Sequence, residues 1–271
     1  MKVILNHETL DWEEVQLSPL NRGFRYGDGF FETIAIINGI PRLLEKHLHR
    51  LKSGAKILNL DVQRILDFDT IQKKIHDIQS ANNMLGDAKM RLLIWRNSSG
   101  LYTPADNKTH YLLTIESANI SKIPLLKTAG ISANIINYLS PVSRFKTLSA
   151  MKYVIAGIEK KEKKLDEIII LDYQGHVSET MNSNLFWNIK GRYYTPPLST
   201  GCIEGIMRNW LINELKHHGF FVEEKLVATE ELLNSDYIFT TNTTGLSHIQ
   251  KINQKTFGID MVSQELISSI S

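Results

Sequence analysis

Hydrophobic positions along this chain switch repeatedly between a period of two and a period near 3.6, which predicts strands and helices in alternation. Residues 30–37 form an apolar, strand-like run closed by Asn38-Gly39, a hairpin turn signal. Leu44, Leu48, Leu51, Ala55 and Leu58 follow at spacings of four, three, four and three, one stripe of a helix over 44–58. A second helix is expected over 67–84, then strands over 88–95 and 110–115 around the polar loop Asn97-Ser98-Ser99-Gly100. These elements make the first half a small α+β unit. Pro124 and Gly130 flank a transitional segment, the expected boundary, which gives a small N-terminal domain over 1–120 and a larger C-terminal one over 121–271.

The second half opens on a strand over 131–138. A helix over 148–159 carries Leu148, Met151, Ile155 and Ile158 on one face and frays into the solvated run Lys160-Lys161-Glu162-Lys163-Lys164. Strands are expected over 167–172, 184–189, 220–226 and 236–241, with a helix beginning near 205 and another at the end.

Composition narrows the class. Of 271 residues, 42% are hydrophobic and 22% charged, values of a globular chain. Lys and Arg total 31 against 29 Asp and Glu, a net charge of +2, which argues against a nucleic-acid binder. Cys202 is the single cysteine, so neither an intrachain disulfide nor a cysteine metal cluster is possible. Only Val3-Ile4-Leu5 is apolar near the start, short of a secretory core, and no run approaches a membrane span. The expectation is a soluble cytoplasmic protein with no membrane or nucleic-acid partner.

Common catalytic signatures are missing. There is no phosphate loop ending in Gly-Lys-Ser/Thr and no G-x-S-x-G elbow, and Gly27-Asp28-Gly29 lacks the third glycine of a dinucleotide fingerprint. His47 and His49, two apart on a helix, point to different faces and cannot grip one metal, so they read as packing or surface residues and no metal is expected. Three features remain. Lys146 sits just before a helix among mixed neighbours, where partial desolvation suits an amine nucleophile or proton shuttle, although most lysines are surface residues. Glu179 precedes the apolar Leu185-Phe186-Trp187, as a turn cap or a held functional anion. The Gly-bearing loop from Ser199 to Gly205 feeds a helix, as a plain turn or an anion site for phosphate, with Cys202 a packed residue. An amine, a carboxylate and a phosphate cradle together suit pyridoxal phosphate, which needs one of each.

The chain resembles the class IV, fold-type-IV pyridoxal-phosphate enzymes over nearly its whole length. That family holds branched-chain aminotransferases, D-amino acid aminotransferases and 4-amino-4-deoxychorismate lyases. The matching runs are Arg22-Gly23-Phe24-Arg25-Tyr26-Gly27-Asp28-Gly29-Phe30-Phe31-Glu32-Thr33, His49-Arg50-Leu51, Lys146-Thr147-Leu148, Val177-Ser178-Glu179, Asn184-Leu185-Phe186, Tyr194-Thr195-Pro196-Pro197-Leu198, Gly205-Ile206-Met207-Arg208 and the stretch 240–245. Their joint order carries the resemblance. It implies a two-domain, D-amino acid aminotransferase-like fold and pyridoxal 5'-phosphate as cofactor, with the lysine in the C-terminal domain. It also implies a homodimer whose sites lie between the domains and borrow a partner loop, here 97–104.

Residue roles follow from the resemblance. Lys146 matches the Schiff-base lysine that also moves the substrate proton, and Glu179 the acid at the pyridine nitrogen. Arg50 matches the phosphate arginine, Ile206 and Met207 the backbone donors at a helix start, and Thr243 a phosphate-binding hydroxyl. Ile203 matches the aliphatic residue on the cofactor ring, while Phe31, Arg96, Tyr102 and Thr244 fall on the substrate side. Relatives often have threonine at Met207 and Leu-Asn where this chain has Leu148-Ser149. D-amino acid enzymes carry an Arg and a His in the loop and a Tyr at Phe31, all missing here, whereas Gly100-Leu101-Tyr102 resembles the lyases, which often have an extra loop Arg that this chain also lacks. The expected activity is conversion of 4-amino-4-deoxychorismate to 4-aminobenzoate and pyruvate. The alternatives are an aminotransferase for branched-chain or D-amino acids and a non-catalytic member of the fold.

Overall fold

The computed structural model describes residues 1–118, 120 and 125–269. They divide into two units, Met1–Ile120 with Phe145–Ser149, and Ser121–Arg144 with Ala150–Ser271.

The first unit is built on a six-stranded sheet of β1 (Lys2–Leu5), β2 (Glu8–Asp11), β3 (Gly29–Ile37), β4 (Ile40–Pro41), β5 (Ala88–Arg96) and β6 (Thr109–Ser117), in the order β2-β1-β6-β5-β3-β4. Asn38 and Gly39 both take positive φ, the turn that the hairpin signal predicts. α1 (Arg22–Tyr26) precedes β3; α2 (Leu44–Ile57) packs on β3, and α3 (Phe68–Ala81) packs on β1 and β6. The α2 stripe is buried from Leu44 to Ala55 as its spacing requires. A smaller cluster joins Val3, Trp95 and Leu112 to Leu148.

Leu148 marks two departures from the sequence reading. The lysine segment packs with the first unit, not the second, because its backbone pairs with β3. Helix α4 (Met151–Glu162) therefore starts three residues later than the apolar spacing suggests. Its expected inner face is turned out: Met151 is 67% and Ile158 53% exposed, with Val154 and Ile155 beside them, while Ala156 and Glu159 are buried. Buried Glu159 is met by Ser132 Oγ at 2.7 Å, by the Ala133 amide at 2.8 Å and by Lys163, so the Lys run ends in an ion pair and is not merely solvated.

The second unit holds a nine-stranded sheet. Its strands are β7 (Leu125–Asn137), β8 (Glu167–Asp172), β9 (Val177–Thr180), β10 (Asn184–Ile189), β11 (Arg192–Thr195), β12 (Val222–Glu224), β13 (Tyr237–Asn242), β14 (Gly245–Ile252) and β15 (Lys255–Thr256). The order is β12-β11-β10-β13-β14-β7-β8-β9, with β15 on β14. The run Ile168-Ile169-Ile170 is buried on both faces of β8: Ile169 joins a core with Leu185, Trp187, Ile238 and Ile249, and Ile168 and Ile170 pack with Ala156 of α4. β7 starts six residues before the expected strand and contains Gly130, while Pro124 lies outside the described residues. β12 spans only three of the seven residues expected because it pairs only with β11, at the sheet edge. α5 (Ile206–His217), the short α6 (Thr229–Leu232) and the terminal α7 (Met261–Ser269) complete the unit. Among the described residues, no helix is long and apolar enough to cross a membrane, and no group of His, Cys, Asp and Glu could hold a metal ion.

Candidate functional site

The candidate residues form two groups, one on each unit. In the first unit, alternate side chains of β3 are Phe30, Glu32, Ile34 and Ile36, all buried. A carboxylate in that apolar series costs free energy unless opposite charge and hydrogen bonds meet it. α2 supplies both from positions three apart on one face. Arg50 donates from Nε to Glu32 Oε1 and from Nη2 to Oε2, each at 2.6 Å, and His47 Nδ1 lies 2.7 Å from Oε2. Burial alone would raise Glu32; the Arg50 guanidinium, with His47, outweighs it and draws the carboxyl down to about 2. Burial holds His47 below its usual range. His49 is exposed, so the two histidines do face apart.

Lys146 joins this group through its backbone. Phe31 N donates to Lys146 O at 2.8 Å, Leu148 N donates to Gly29 O at 3.0 Å, and Phe30 bridges antiparallel to Thr147. Gly29 allows close packing here, since a Cβ would lie 2.1 Å from Ile94 O. The Lys146 side chain is half-buried with Nζ 5.4 Å from the Phe31 ring centroid, and its charge helps to lower His47. Lys146, Phe31 and the Arg50 cluster are thus held by one strand and one helix.

Arg96 has a different place from the one expected. Its guanidinium is buried and donates to Asp28 Oδ2 at 3.0 Å, to Asn107 Oδ1 at 2.6 Å and to Leu58 O. It anchors the root of loop 97–104 and does not reach out as a substrate arm. Arg22 shares Asp28 at 2.7 Å and donates to Gly100 O and Leu101 O, fixing the same loop. Tyr102 at its tip is 89% exposed, with its ring 5.7 Å from that of Tyr26.

In the second unit, Glu179 is buried on β9 and its carboxylate is met on both oxygens. Oε1 accepts from Asn137 Nδ2 at 2.9 Å, from the Tyr153 hydroxyl at 2.8 Å and from Lys152 Nζ at 3.4 Å; Oε2 accepts from the Ile203 amide at 2.9 Å. Glu179 is therefore a held anion, not a turn cap. Ile203 O accepts from Asn184 Nδ2 at 2.7 Å, which fixes the approach to α5. Gly205 is the N-cap of α5 and no side chain caps it, so the first-turn amides, Ile206 and Met207 among them, lack an intrahelical partner and meet the positive end of the dipole. A Cβ on Gly205 would lie 1.9 Å from Asn184 Oδ1, so the residue must be glycine for the loop to close. Arg208, next in the motif, is structural: it is buried and donates to Pro196 O at 2.9 Å and Glu224 at 2.8 Å. Thr243 is half-buried and Thr244 exposed in the β13–β14 turn, and the Thr244 hydroxyl donates to Asn242 Oδ1 at 2.7 Å. Cys202 is buried and its thiol is pushed up to about 12 by that burial, which makes it inert, as a packed residue should be.

Sequence reasoning gave no role to Glu32, Asn137, Lys152 and Tyr153, while His47, read as a packing or surface residue, is packed. Glu32 had a signal: an acid at a core position of an alternating strand demands a cation, and His47 and Arg50 are three apart. Lys152 and Tyr153 had none, because their orientation depends on where α4 begins.

The pattern that defines the family described as amino-transferase class IV matches residues 29–252. An aminodeoxychorismate lyase of Bacillus subtilis is 30% identical over 267 residues, covering 94% of this chain and 88% of that protein. A D-alanine aminotransferase of Bacillus licheniformis is 28% identical over 268 residues, covering 95% and 90%. A branched-chain aminotransferase of Thermoproteus uzoniensis, solved with norvaline, superposes with a TM-score of 0.89 at 24% identity, covering 100% of this chain and 93% of that one, and so shares the fold.

Proposed function

The chain belongs to the class IV aminotransferases, whose cofactor is pyridoxal 5'-phosphate, and from that premise we propose that it is a lyase converting 4-amino-4-deoxychorismate to 4-aminobenzoate and pyruvate, in folate precursor synthesis. The residues present suit the cofactor. An uncapped helix start at Gly205 with the amides of Ile206 and Met207 suits a phosphate, and the buried Glu179 suits a protonated ring nitrogen. Arg50, which the structure pairs with Glu32, and Thr243 would add phosphate contacts, Ile203 would pack on the ring, and Lys146 would hold the cofactor through its amine.

When bound, pyridoxal phosphate supplies an electron-withdrawing ring that weakens bonds at the amine-bearing carbon of the substrate. Lys146 Nζ would be the group that takes the proton from that carbon and returns one afterwards. Glu179 would keep the ring nitrogen protonated. Loss of pyruvate leaves an aromatic product, which drives the reaction forward.

The observation that carries the lyase reading is loop 97–104. It holds neither Arg nor His, its neighbour Arg96 is fully engaged below it, and it presents Tyr102 at the tip. That is no carboxylate trap for a simple amino acid, and Phe31 offers no hydroxyl in its place. Incubating the protein with 4-amino-4-deoxychorismate should release 4-aminobenzoate and pyruvate in equal amounts. Conversion of 2-oxo acids to amino acids in its place would establish the aminotransferase reading, which the similarity to the D-alanine aminotransferase of B. licheniformis favours. The proposal includes a cytoplasmic homodimer, supported by the exposed apolar face of α4.

A further inference from the structure

Lys152 stands on the first turn of α4, six residues after Lys146. Its Nζ lies 2.8 Å from Asn137 Oδ1, 3.4 Å from Glu179 Oε1 and 4.6 Å from the centroid of the Tyr153 ring. Asn137 is fully buried and oriented without ambiguity: its Nδ2 must face Glu179, because a carboxylate only accepts, so its Oδ1 faces Lys152. The three side chains crowd one oxygen of Glu179. Oε1 has three donors and Oε2 one, the Ile203 amide. Each carboxylate oxygen has about two lone-pair directions, so Oε2 is the oxygen with acceptor capacity to spare.

The groups around Glu179 differ in charge. Tyr153 stays a neutral phenol, raised by burial first and by Glu179 next, and the Cys202 thiol is neutral for the same reason. Lys152 is the cationic side chain among them, about one-third exposed, with Nζ 3.4 Å from the buried Glu179 carboxylate.

We propose that Lys152 is a positioning and tuning residue: it turns Glu179 Oε1 inward, leaves Oε2 for the cofactor's ring nitrogen, and offsets part of the negative charge that Glu179 presents to that nitrogen. The proposal rests on the cofactor reading above. It gives Lys152 a sign that a packing role lacks. Removing its charge should strengthen the hold on the ring proton, whereas removing a merely structural contact should weaken the binding of any ring.

Two probes separate these cases without turnover: pyridoxamine 5'-phosphate, which binds without the lysine linkage, and its analogue with the ring nitrogen replaced by C–H. Their dissociation constants are measured by calorimetry on apoprotein, and the ring-nitrogen pKa of bound pyridoxamine phosphate by nitrogen-15 NMR. Lys152→Gln keeps a donor for Asn137 and drops the charge; Lys152→Arg keeps the charge. The Gln variant should prefer the nitrogen probe over the C–H analogue by at least threefold more than wild type does, and should raise the ring pKa by about half a unit, the same factor of three. The Arg variant should match wild type, and in a Glu179→Gln background Lys152→Gln should have no effect on the preference. Equal loss of both probes, or an unchanged preference, overturns the proposal while leaving the cofactor reading intact. Wild-type protein that binds neither probe overturns the cofactor reading, and this proposal with it.

Discussion

At the scale of single residues, the molecule places charge where an apolar side chain would be expected and answers it locally. Glu32 is the clearest case. Its carboxyl sits at about 2, below the usual 4.5, because Arg50 and His47 outweigh the cost of burial. A depressed acid contributes stability above its unfolded value and loses it as pH falls through the folded one. The window is therefore from about 4.5 down to about 2, and the shift corresponds to about 3 kcal/mol. Glu32→Gln leaves the Arg50 charge buried without its anion, so it should cost about 3–5 kcal/mol at pH 7. Urea unfolding at pH 7 and pH 3 checks both statements: the wild type should lose stability between them, and the variant should lose less. Lys146→Ala tests the other half of this group. It should abolish turnover and the visible band of the loaded protein while leaving the melting temperature within a few degrees, because the backbone pairing of Lys146 with Phe31 does not need its side chain. Retained turnover would remove the lysine from the mechanism.

At the scale of elements, legibility followed how local the cause was. α2 was readable because one apolar stripe faces one sheet, and the β3 hairpin because Asn38-Gly39 fits a turn with two positive φ values. The candidate site was assigned at Lys146, Glu179 and the Gly205 loop through family motifs. Its supporting residues were not, since Asn137, Tyr153 and Lys152 meet only after β7 and α4 are placed. α4 misled because its apolar positions point outward and Leu148, which looks like part of the stripe, is taken by β3 and the Val3–Trp95–Leu112 cluster. Tertiary pairing overrode periodicity there. The α5 start yields a prediction of its own. In Gly205→Ala the new methyl group would lie 1.9 Å from Asn184 Oδ1, so the loop must move away from the Asn184–Ile203 bond. Overpacking of this kind costs about 1–3 kcal/mol. If the first-turn amides hold the phosphate, inorganic phosphate and pyridoxamine phosphate should both bind at least tenfold more weakly, measured by calorimetry on apoprotein; unchanged affinity for both would show that the helix start is not the cradle.

At the scale of the whole molecule, the outer face of α4 is the feature that bears on assembly. Met151, Val154, Ile155 and Ile158 line one side of a helix whose opposite side, Ala156 and Glu159, is already buried in the second unit. Single exposed apolar residues need no explanation, but four on successive turns form a patch that water solvates poorly and that a second surface can cover. A two-fold dimer is the simplest cover, because one patch then meets itself and each copy removes the other's exposure. Placing acids there separates assembly from folding. Ile155→Glu with Ile158→Glu puts charge on positions that touch water in the single chain, so the fold should persist, shown by unchanged far-ultraviolet circular dichroism. In a dimer the same acids would be buried against like charge, which is destabilising by several kcal/mol. Light scattering after gel filtration at micromolar concentration should therefore give about 62 kDa for the wild type, twice the 31.0 kDa chain, and the mass of a single chain for the double variant. A wild-type monomer would remove the dimer, and a variant that stays dimeric would move the interface away from α4.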